Sequence, residues 1–478
     1  MTAPTATVDA LRHLSAPSAA RLLDGWRRPG PAYQALADAL RAAVLSGTLP
    51  PLTRLPSERD LADALGVSRT TTSGAYARLR ELGFATSRVG SGTVAVLPRG
   101  PAAAPARRPP AGDAPLTDLG DEHVIDLAQA TPSASDALHG AYARALEELP
   151  AHLSGGGYAH LGIESLRAAI AARYTARGVP TDVDQILVTT GAQQAIALLA
   201  GTLLARTEHA LVESPTYVHA IGALRAAGAR VVGVPVGDVE AMASAVRRTG
   251  ARLVYLVPDF HNPTGRTLTA AERAALGTLT AQGVTVVGDE TLTDLDLDGV
   301  GVPAPFAGTG EDPRLISVGS ASKTFWGGMR VGWVRAAPQL VQRLARVRQR
   351  LDVATPVLEQ LAVADLLDRR EEVLPARLAD LRSRRDLLVE SVRRRFPSWD
   401  VPRPPGGLCL WIGLGRPVGP ALAAAAVSDG LRLSAGPQFT PDGTAADHLR
   451  LTWTRSPEVL TDAVGRLART WARVTREA

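Results

Sequence analysis

Five short, nearly uninterrupted apolar runs constrain this chain more than any other feature: residues 186–189, 210–213, 253–257, 284–287 and 315–318. Strands apolar on both faces and separated by helix-length stretches specify a mostly parallel sheet covered by helices on both sides. Residues 123–478 are therefore expected to form an α/β body. Its last part, roughly 341–478, is helix-rich with strands near 408–412 and 449–453, and reads as a smaller α+β lobe. Ahead of the body, residues 98–122 are rich in proline, alanine and arginine without an apolar period, which is linker composition.

Residues 31–97 read as short helices followed by a hairpin, with residues 1–30 as an extension. Ser57 precedes Glu58 and Asp60, the pattern of a capped helix start with acids in its first turn. Gly66-Val67 breaks that helix, and Ser68 caps a second one from Arg69 to about Leu82, with Tyr76, Leu79 and Leu82 facing inward. Two short helices across a glycine turn make a helix-turn-helix, whose second helix enters the major groove by its N-terminal end. Arg69, Thr70 and Thr71 sit there, and an arginine can pair with guanine O6 and N7. The glycines around Arg88, Gly90, Ser91 and Gly92 allow a tight wing that reaches phosphate. Charge supports this: residues 1–100 hold 12 arginines against 7 acids, and the remainder of the chain is balanced.

The body contains the only lysine, Lys323; the other 51 of the whole chain's 52 lysine and arginine side chains are arginine. A guanidinium cannot form a Schiff base, whereas a lysine amine can be tuned to lose its proton. Around Lys323 stand Ser320, Ser322 and Arg330, donors for an anion. Thr190-Gly191-Ala192-Gln193 marks a strand-to-helix turn whose amides also favour an anion. Asp289 ends an apolar strand, Asn262 lies in His261-Asn262-Pro263-Thr264-Gly265, and Tyr217 in Ser214-Pro215-Thr216-Tyr217. Amine, phosphate cradle, anion for a ring nitrogen, donor for a phenolic oxygen and a stacking ring are what pyridoxal 5'-phosphate needs.

The strings Arg54-Leu55-Pro56-Ser57-Glu58-Arg59, Gly66-Val67-Ser68-Arg69-Thr70 and Gly90-Ser91-Gly92-Thr93 resemble the winged domain of GntR-type regulators. The order Gly-Ala-Gln, Pro-Thr-Tyr, Asn-Pro-Thr-Gly, Asp289, Ser-x-Ser-Lys and Arg330 resembles the fold-type I aminotransferases. Together they resemble the MocR/GabR-type transcription regulators over nearly the whole chain. The resemblance implies DNA contacts at Arg59, Ser68, Arg69, Thr70 and the wing, and a Lys323 aldimine that senses the cofactor or an amino-compound effector. It implies that Tyr158 reaches the partner subunit's phosphate in a homodimer, and that Arg450 binds an effector carboxylate. The partner is then a double-stranded DNA operator.

Three departures accompany the resemblance. Pro51-Leu52-Thr53 lacks the glycine usual before Arg54, Ser73-Gly74 is a weak pair inside a recognition helix, and Thr291 and Leu292 stand where a tyrosine is common. The alternative reading is an active aminotransferase with an appended DNA-binding domain. A lone cysteine, Cys409, excludes an internal disulfide or a cysteine zinc cluster. The absence of a signal layout or an apolar span leads to the expectation of a cytoplasmic protein.

Overall fold

The computed structural model describes residues 12–27, 30–45, 48–50, 52–88, 92–96, 124–301, 303–306 and 312–477. The chain divides into two compact units, Met1–Asp121 and Glu122–Ala478. Gly90, Ser91, the side chain of Arg88 and the segment 98–122 lie outside the described residues.

The first unit runs β1 (Arg12–His13), α1 (Ala16–Leu22), α2 (Ala32–Leu45), β2 (Thr53–Arg54), α3 (Glu58–Leu65), α4 (Arg69–Glu81), β3 (Ala85–Arg88) and β4 (Gly92–Ala95). Both helix starts form as their cap residues dictate. Ser57 Oγ accepts from the Asp60 amide at 3.1 Å, and Ser68 Oγ from the Thr71 amide at 3.1 Å. Gly66 ends α3 at φ 63, a left-handed conformation that glycine takes without penalty. Tyr76 and Leu79 are buried with Leu36, Leu40 and Leu61. Leu82, expected to face inward with them, is only partly buried, just past the end of α4.

The first unit differs from the sequence reading at its front. Ala19, Leu23 and Trp26 enter the same core, and β1 pairs in parallel with β2. A two-residue strand carries no periodic signal, so residues 12–27 read as an extension although they help build the module. The two local departures also have physical accounts. A Cβ on Gly74 would lie 3.2 Å from the Tyr33 Cβ, so the glycine that weakens α4 lets α2 pack closely on it. Leu52 adopts φ 64 where the glycine is missing, a strain of about 1 kcal/mol for a residue with a Cβ.

The second unit begins with β5 (Ile125–Asp126), α5 (Leu138–Glu148), α6 (Glu164–Ala176), β6 (Ile186–Thr189), α7 (Ala192–Leu203), β7 (His209–Ser214) and α8 (Val218–Ala226). It continues with β8 (Arg230–Pro235), α9 (Val239–Thr249), β9 (Leu253–Leu256), α10 (Ala270–Gly277), β10 (Thr285–Asp289), β11 (Leu315–Ser320) and β12 (Gly332–Arg335). The large sheet has the order β6-β12-β11-β10-β9-β7-β8, with only β12 antiparallel to its neighbours. All five apolar runs are strands in it. The sequence reading missed β8, an edge strand with one buried residue, and the four-residue β12. Neither makes a long apolar run.

The chain closes with α11 (Pro338–Arg348), α12 (Val357–Asp368), α13 (Arg370–Arg395), β13 (Cys409–Gly413), α14 (Gly419–Ala426), β14 (Leu431–Arg432), β15 (Ser434–Ala435), β16 (His448–Thr452) and α15 (Pro457–Glu477). The small lobe is not 341–478 as expected from helix content. Val341 and Leu344 of α11 pack on the large sheet, and Leu361 and Leu366 of α12 pack with residues of α5 and α6. The lobe's core instead joins residues of α13, β13, β16 and α15 to Leu127, while β5 pairs with β14. An apolar helix face does not disclose which neighbour will cover it. Among the described residues, no helix is long and apolar enough to cross a membrane.

Candidate functional site

In the second unit the residues singled out for a cofactor gather where the parallel strands end, the usual place for a ligand in such a sheet. Asp289 is the last residue of β10 and is 5% exposed. Tyr255 of β9 donates its hydroxyl to Asp289 Oδ2 at 2.7 Å, and the Thr291 amide donates to Oδ1 at 3.0 Å. Burial pushes this carboxyl's pKa up, while the bonds from Thr291 and Tyr255 and the charge of Lys323 oppose that rise. Leu292 is buried in the small-lobe core, so neither residue 291 nor 292 offers a phenol.

Lys323 follows β11, and its Nζ donates to the Ala130 carbonyl at 2.8 Å. Burial, then the positive charges of Arg450 and Arg330, pull the amine's pKa down to about 8, against the attraction of Asp289. Capture of an aldehyde by this amine is therefore expected to accelerate as the pH is raised through 8, which absorbance measurements of pyridoxal phosphate uptake will check. A profile without an inflection in that range would contradict the assignment. Stability follows the same sign. An unfolded lysine keeps its proton up to about 10.5, so between pH 8 and 10.5 the unfolded chain binds more protons, and the second unit gains stability as pH rises.

Gly191 joins β6 to α7 at φ 87, and a Cβ there would come within 2.6 Å of the Arg330 guanidinium. Arg330, itself at φ 51, donates from Nη2 to the Thr190 carbonyl at 3.0 Å. Its fork thus lies against the start of α7, where Ala192 and Gln193 begin the helix with amides that lack intrahelical acceptors. Gly332 permits this approach, because a Cβ on it would lie 2.6 Å from the Gly191 carbonyl carbon. Gly332→Ala is expected to destabilise the second unit by roughly 1–3 kcal/mol, measured by denaturant unfolding, with parallel loss of anion affinity.

The two serines divide. Ser320 Oγ donates to the Val331 carbonyl at 3.1 Å and accepts from the Ser322 amide at 3.2 Å, so it is engaged within the protein. Ser322 Oγ is buried without a partner among the described residues. Tyr217 precedes α8, meets His219 edge-on at 5.3 Å, and has its phenol pushed up to about 12 by burial and by Asp289. Gln193 donates to the His219 carbonyl at 3.1 Å. Arg450, in β16 and 6% exposed, donates to Asn262 Oδ1 at 3.0 Å and to the Ala128 carbonyl, 4.7 Å over the Phe439 ring. Its Nε has no partner among the described residues. Among the described residues Tyr158 meets no member of this cluster; it is 69% exposed and stacked on His160 at 6.5 Å.

Sequence reasoning missed Tyr255, Phe439 and the segment 127–130. The carbonyls of Ala128 and Ala130 hold Arg450 and Lys323, and that of Gln129 accepts from the hydroxyls of Thr452 at 3.2 Å and Thr454 at 3.3 Å. Contacts made by backbone carbonyls leave no motif to read.

In the first unit, Arg59, Ser68, Arg69 and Thr70 are exposed at the starts of α3 and α4, while Thr71 is half-buried and its hydroxyl meets Ser68 Oγ at 2.9 Å. Thr72 ties the helices together by donating to the Glu58 carbonyl at 2.8 Å, and Tyr76 donates to that of Pro56 at 2.9 Å. A cleft of about 530 Å³ lies here, lined by Arg54, Arg59, Arg69, His13, Glu58 and Asp60 among others. Gly92 of the wing, at φ 80, packs against the Arg54 guanidinium. Arg54 is a basic residue of this face that the sequence reading did not select.

The mixed sheet with a small α+β lobe defines the class: a fold-type I aminotransferase body behind a winged helix-turn-helix. Residues 122–467 match the family model "Aminotransferase class I and II", and residues 32–94 match "Bacterial regulatory proteins, gntR family". The chain belongs to the class I and II aminotransferase family, with a GntR-type DNA-binding domain fused ahead of it. Its relatives include the probable rhizopine catabolism regulatory protein MocR of Rhizobium meliloti, 30% identical over 77% of this chain and 78% of that one. The 2-aminoadipate transaminase of Thermus thermophilus is 30% identical over 62% of this chain and 77% of its own. The crystal structure of LysN, the α-aminoadipate aminotransferase of that organism, superposes with a TM-score of 0.68 at 27% identity, covering 75% of this chain and 94% of that chain.

This aminotransferase family depends on pyridoxal phosphate. The residues here fit that group. A buried serine hydroxyl without a partner, an arginine fork against a helix start that has no room for a Cβ, and a buried carboxylate beside a partly neutral amine match its phosphate, ring nitrogen and aldehyde.

Proposed function

We propose that this protein is a homodimeric, cytoplasmic transcription regulator whose second unit binds pyridoxal phosphate and responds to it or to an amino compound. One observation carries the reading: a single chain holds both the exposed arginines at the starts of α3 and α4 and the Lys323–Asp289 cluster. Arg69 and Thr70 meet base edges, and Arg59 and the wing hold phosphates. When bound, the cofactor supplies an electrophilic carbonyl and an electron-withdrawing ring. Lys323 supplies the neutral amine that captures it, and Asp289 holds a proton on its ring nitrogen. Arg330, Ser322 and the first amides of α7 bind its phosphate, Tyr217 covers the ring and Asn262 meets the phenolic oxygen. Arg450 holds the effector carboxylate with the part of its guanidinium left unbonded. The exposure of Tyr158 supports a role across a dimer, where two DNA-binding units match two half-sites. An effector shifts the arrangement of those units only by its differential affinity for the two states.

The test is selection from a random duplex library, with and without pyridoxal phosphate and a panel of amino acids. A recovered site with two related halves and ligand-dependent affinity is expected, and retention of no DNA would overturn the reading. An active aminotransferase with an appended DNA-binding domain is the second reading, favoured by the lowered pKa of Lys323 beside Asp289. Sustained conversion of an amino acid to its keto acid would establish it.

A further inference from the structure

The turn that cradles the phosphate is itself held by a carboxylate remote in sequence. Thr190 donates its hydroxyl to Asp352 Oδ2 at 2.7 Å, and Gln194 donates its side-chain amide to the same oxygen. Gln194 also accepts from the Thr190 amide at 2.6 Å, so both ends of the first turn of α7 are tied to one point. Arg348, fully buried, fixes Asp352 from below through Nε to Oδ1 at 2.7 Å and Nη2 to Oδ2 at 3.2 Å. The rest of that guanidinium goes to the Val188 carbonyl and to Thr355 Oγ1 at 2.8 Å. The other face of the same turn carries Arg330, bonded to the Thr190 carbonyl. A buried arginine with all these bonds is a rigid anchor, since breaking any of them strands a charge or a polar group away from water.

We propose that Asp352 is a positioning residue that gives the second unit its preference for a phosphorylated over an unphosphorylated aldehyde. This rests on the reading of that unit as a pyridoxal phosphate site. Asp352 does not touch the ligand. It holds Thr190 and Gln194 so that Gly191 and the first amides of α7 converge with Arg330 on one anion. Lys323 lies outside the Asp352 network, so the aldehyde half of the site does not depend on it.

The experiment compares pyridoxal phosphate with pyridoxal, which shares every atom except the phosphate. In the full chain, Asp352→Ala is expected to weaken pyridoxal phosphate roughly tenfold to hundredfold and to leave pyridoxal within about twofold, measured by absorbance titration. Thr190→Val removes the hydroxyl's bond to Asp352 and its longer contacts with Thr355 Oγ1 and Arg348 Nη2, both at 3.4 Å, but leaves the Arg348–Asp352 pair intact, so it serves if Asp352→Ala does not fold; the same selective loss, smaller in size, is expected. Inorganic phosphate should compete with pyridoxal phosphate less well in either variant than in wild type. Equal loss of both aldehydes would mean that Asp352 only supports the fold, and unchanged affinity for both would mean that it does not position the cradle. A wild type that takes up neither aldehyde would overturn the cofactor reading itself. Wild-type binding of both with equal affinity would overturn only this inference.

Discussion

Replacing Lys323 with alanine is expected to abolish covalent attachment of pyridoxal phosphate and the effector response, while leaving a folded protein that binds DNA. No other side-chain amine exists in the chain, because the remaining basic side chains are guanidiniums that stay protonated and do not condense with aldehydes. The fold has little to lose. Among the described residues Nζ makes one hydrogen bond, to the Ala130 carbonyl, and the same burial that lowers its pKa means that its charged form is unfavourable there. Absorbance spectra before and after borohydride reduction, followed by peptide mapping, give the first readout. Wild type should carry the reduced cofactor on the Lys323 peptide, and the variant should carry none. Loss of basal DNA binding by a folded variant would count against the division of labour between the two units.

The second large effect is at the recognition helix. Arg69→Ala is expected to cost roughly 1–3 kcal/mol of discrimination between a selected operator and random duplex. Arg69 is the first residue of α4, exposed and, among the described residues, in no ion pair, so its removal leaves the cap, the Thr72 tie and the Tyr76 anchor in place. Fluorescence anisotropy on both duplexes at one salt concentration measures the ratio, since phosphate contacts weaken both alike. An unchanged ratio would mean that another element reads the bases.

The cap residues, glycine breaks and apolar runs were legible because each acts on its own neighbourhood. Ser57, Gly66 and Ser68 begin and end the helices they mark, and every apolar run became a strand. The motif residues Gly191, Tyr217, Asn262, Asp289 and Lys323 follow or end strands, so their approximate location follows once the strands are parallel. Tyr255 was hidden because it reads as one more residue of a buried strand. Its hydroxyl matters only because β9 lies beside β10.

By itself, then, the sequence determined the two units, the helix-turn-helix, the parallel sheet and the single reactive amine, since local backbone preference and side-chain chemistry act over a few residues. Tertiary structure alone decided the rest. It brought the carbonyls of the segment 127–130 onto Lys323 and Arg450, and it tied Thr190 to Asp352 across 162 positions of chain. It also assigned α11 to the large sheet and α12 to the helices α5 and α6, rather than to the small lobe. Those outcomes depend on which apolar faces cover one another and which buried polar groups find partners, and both are settled only when the whole core is packed.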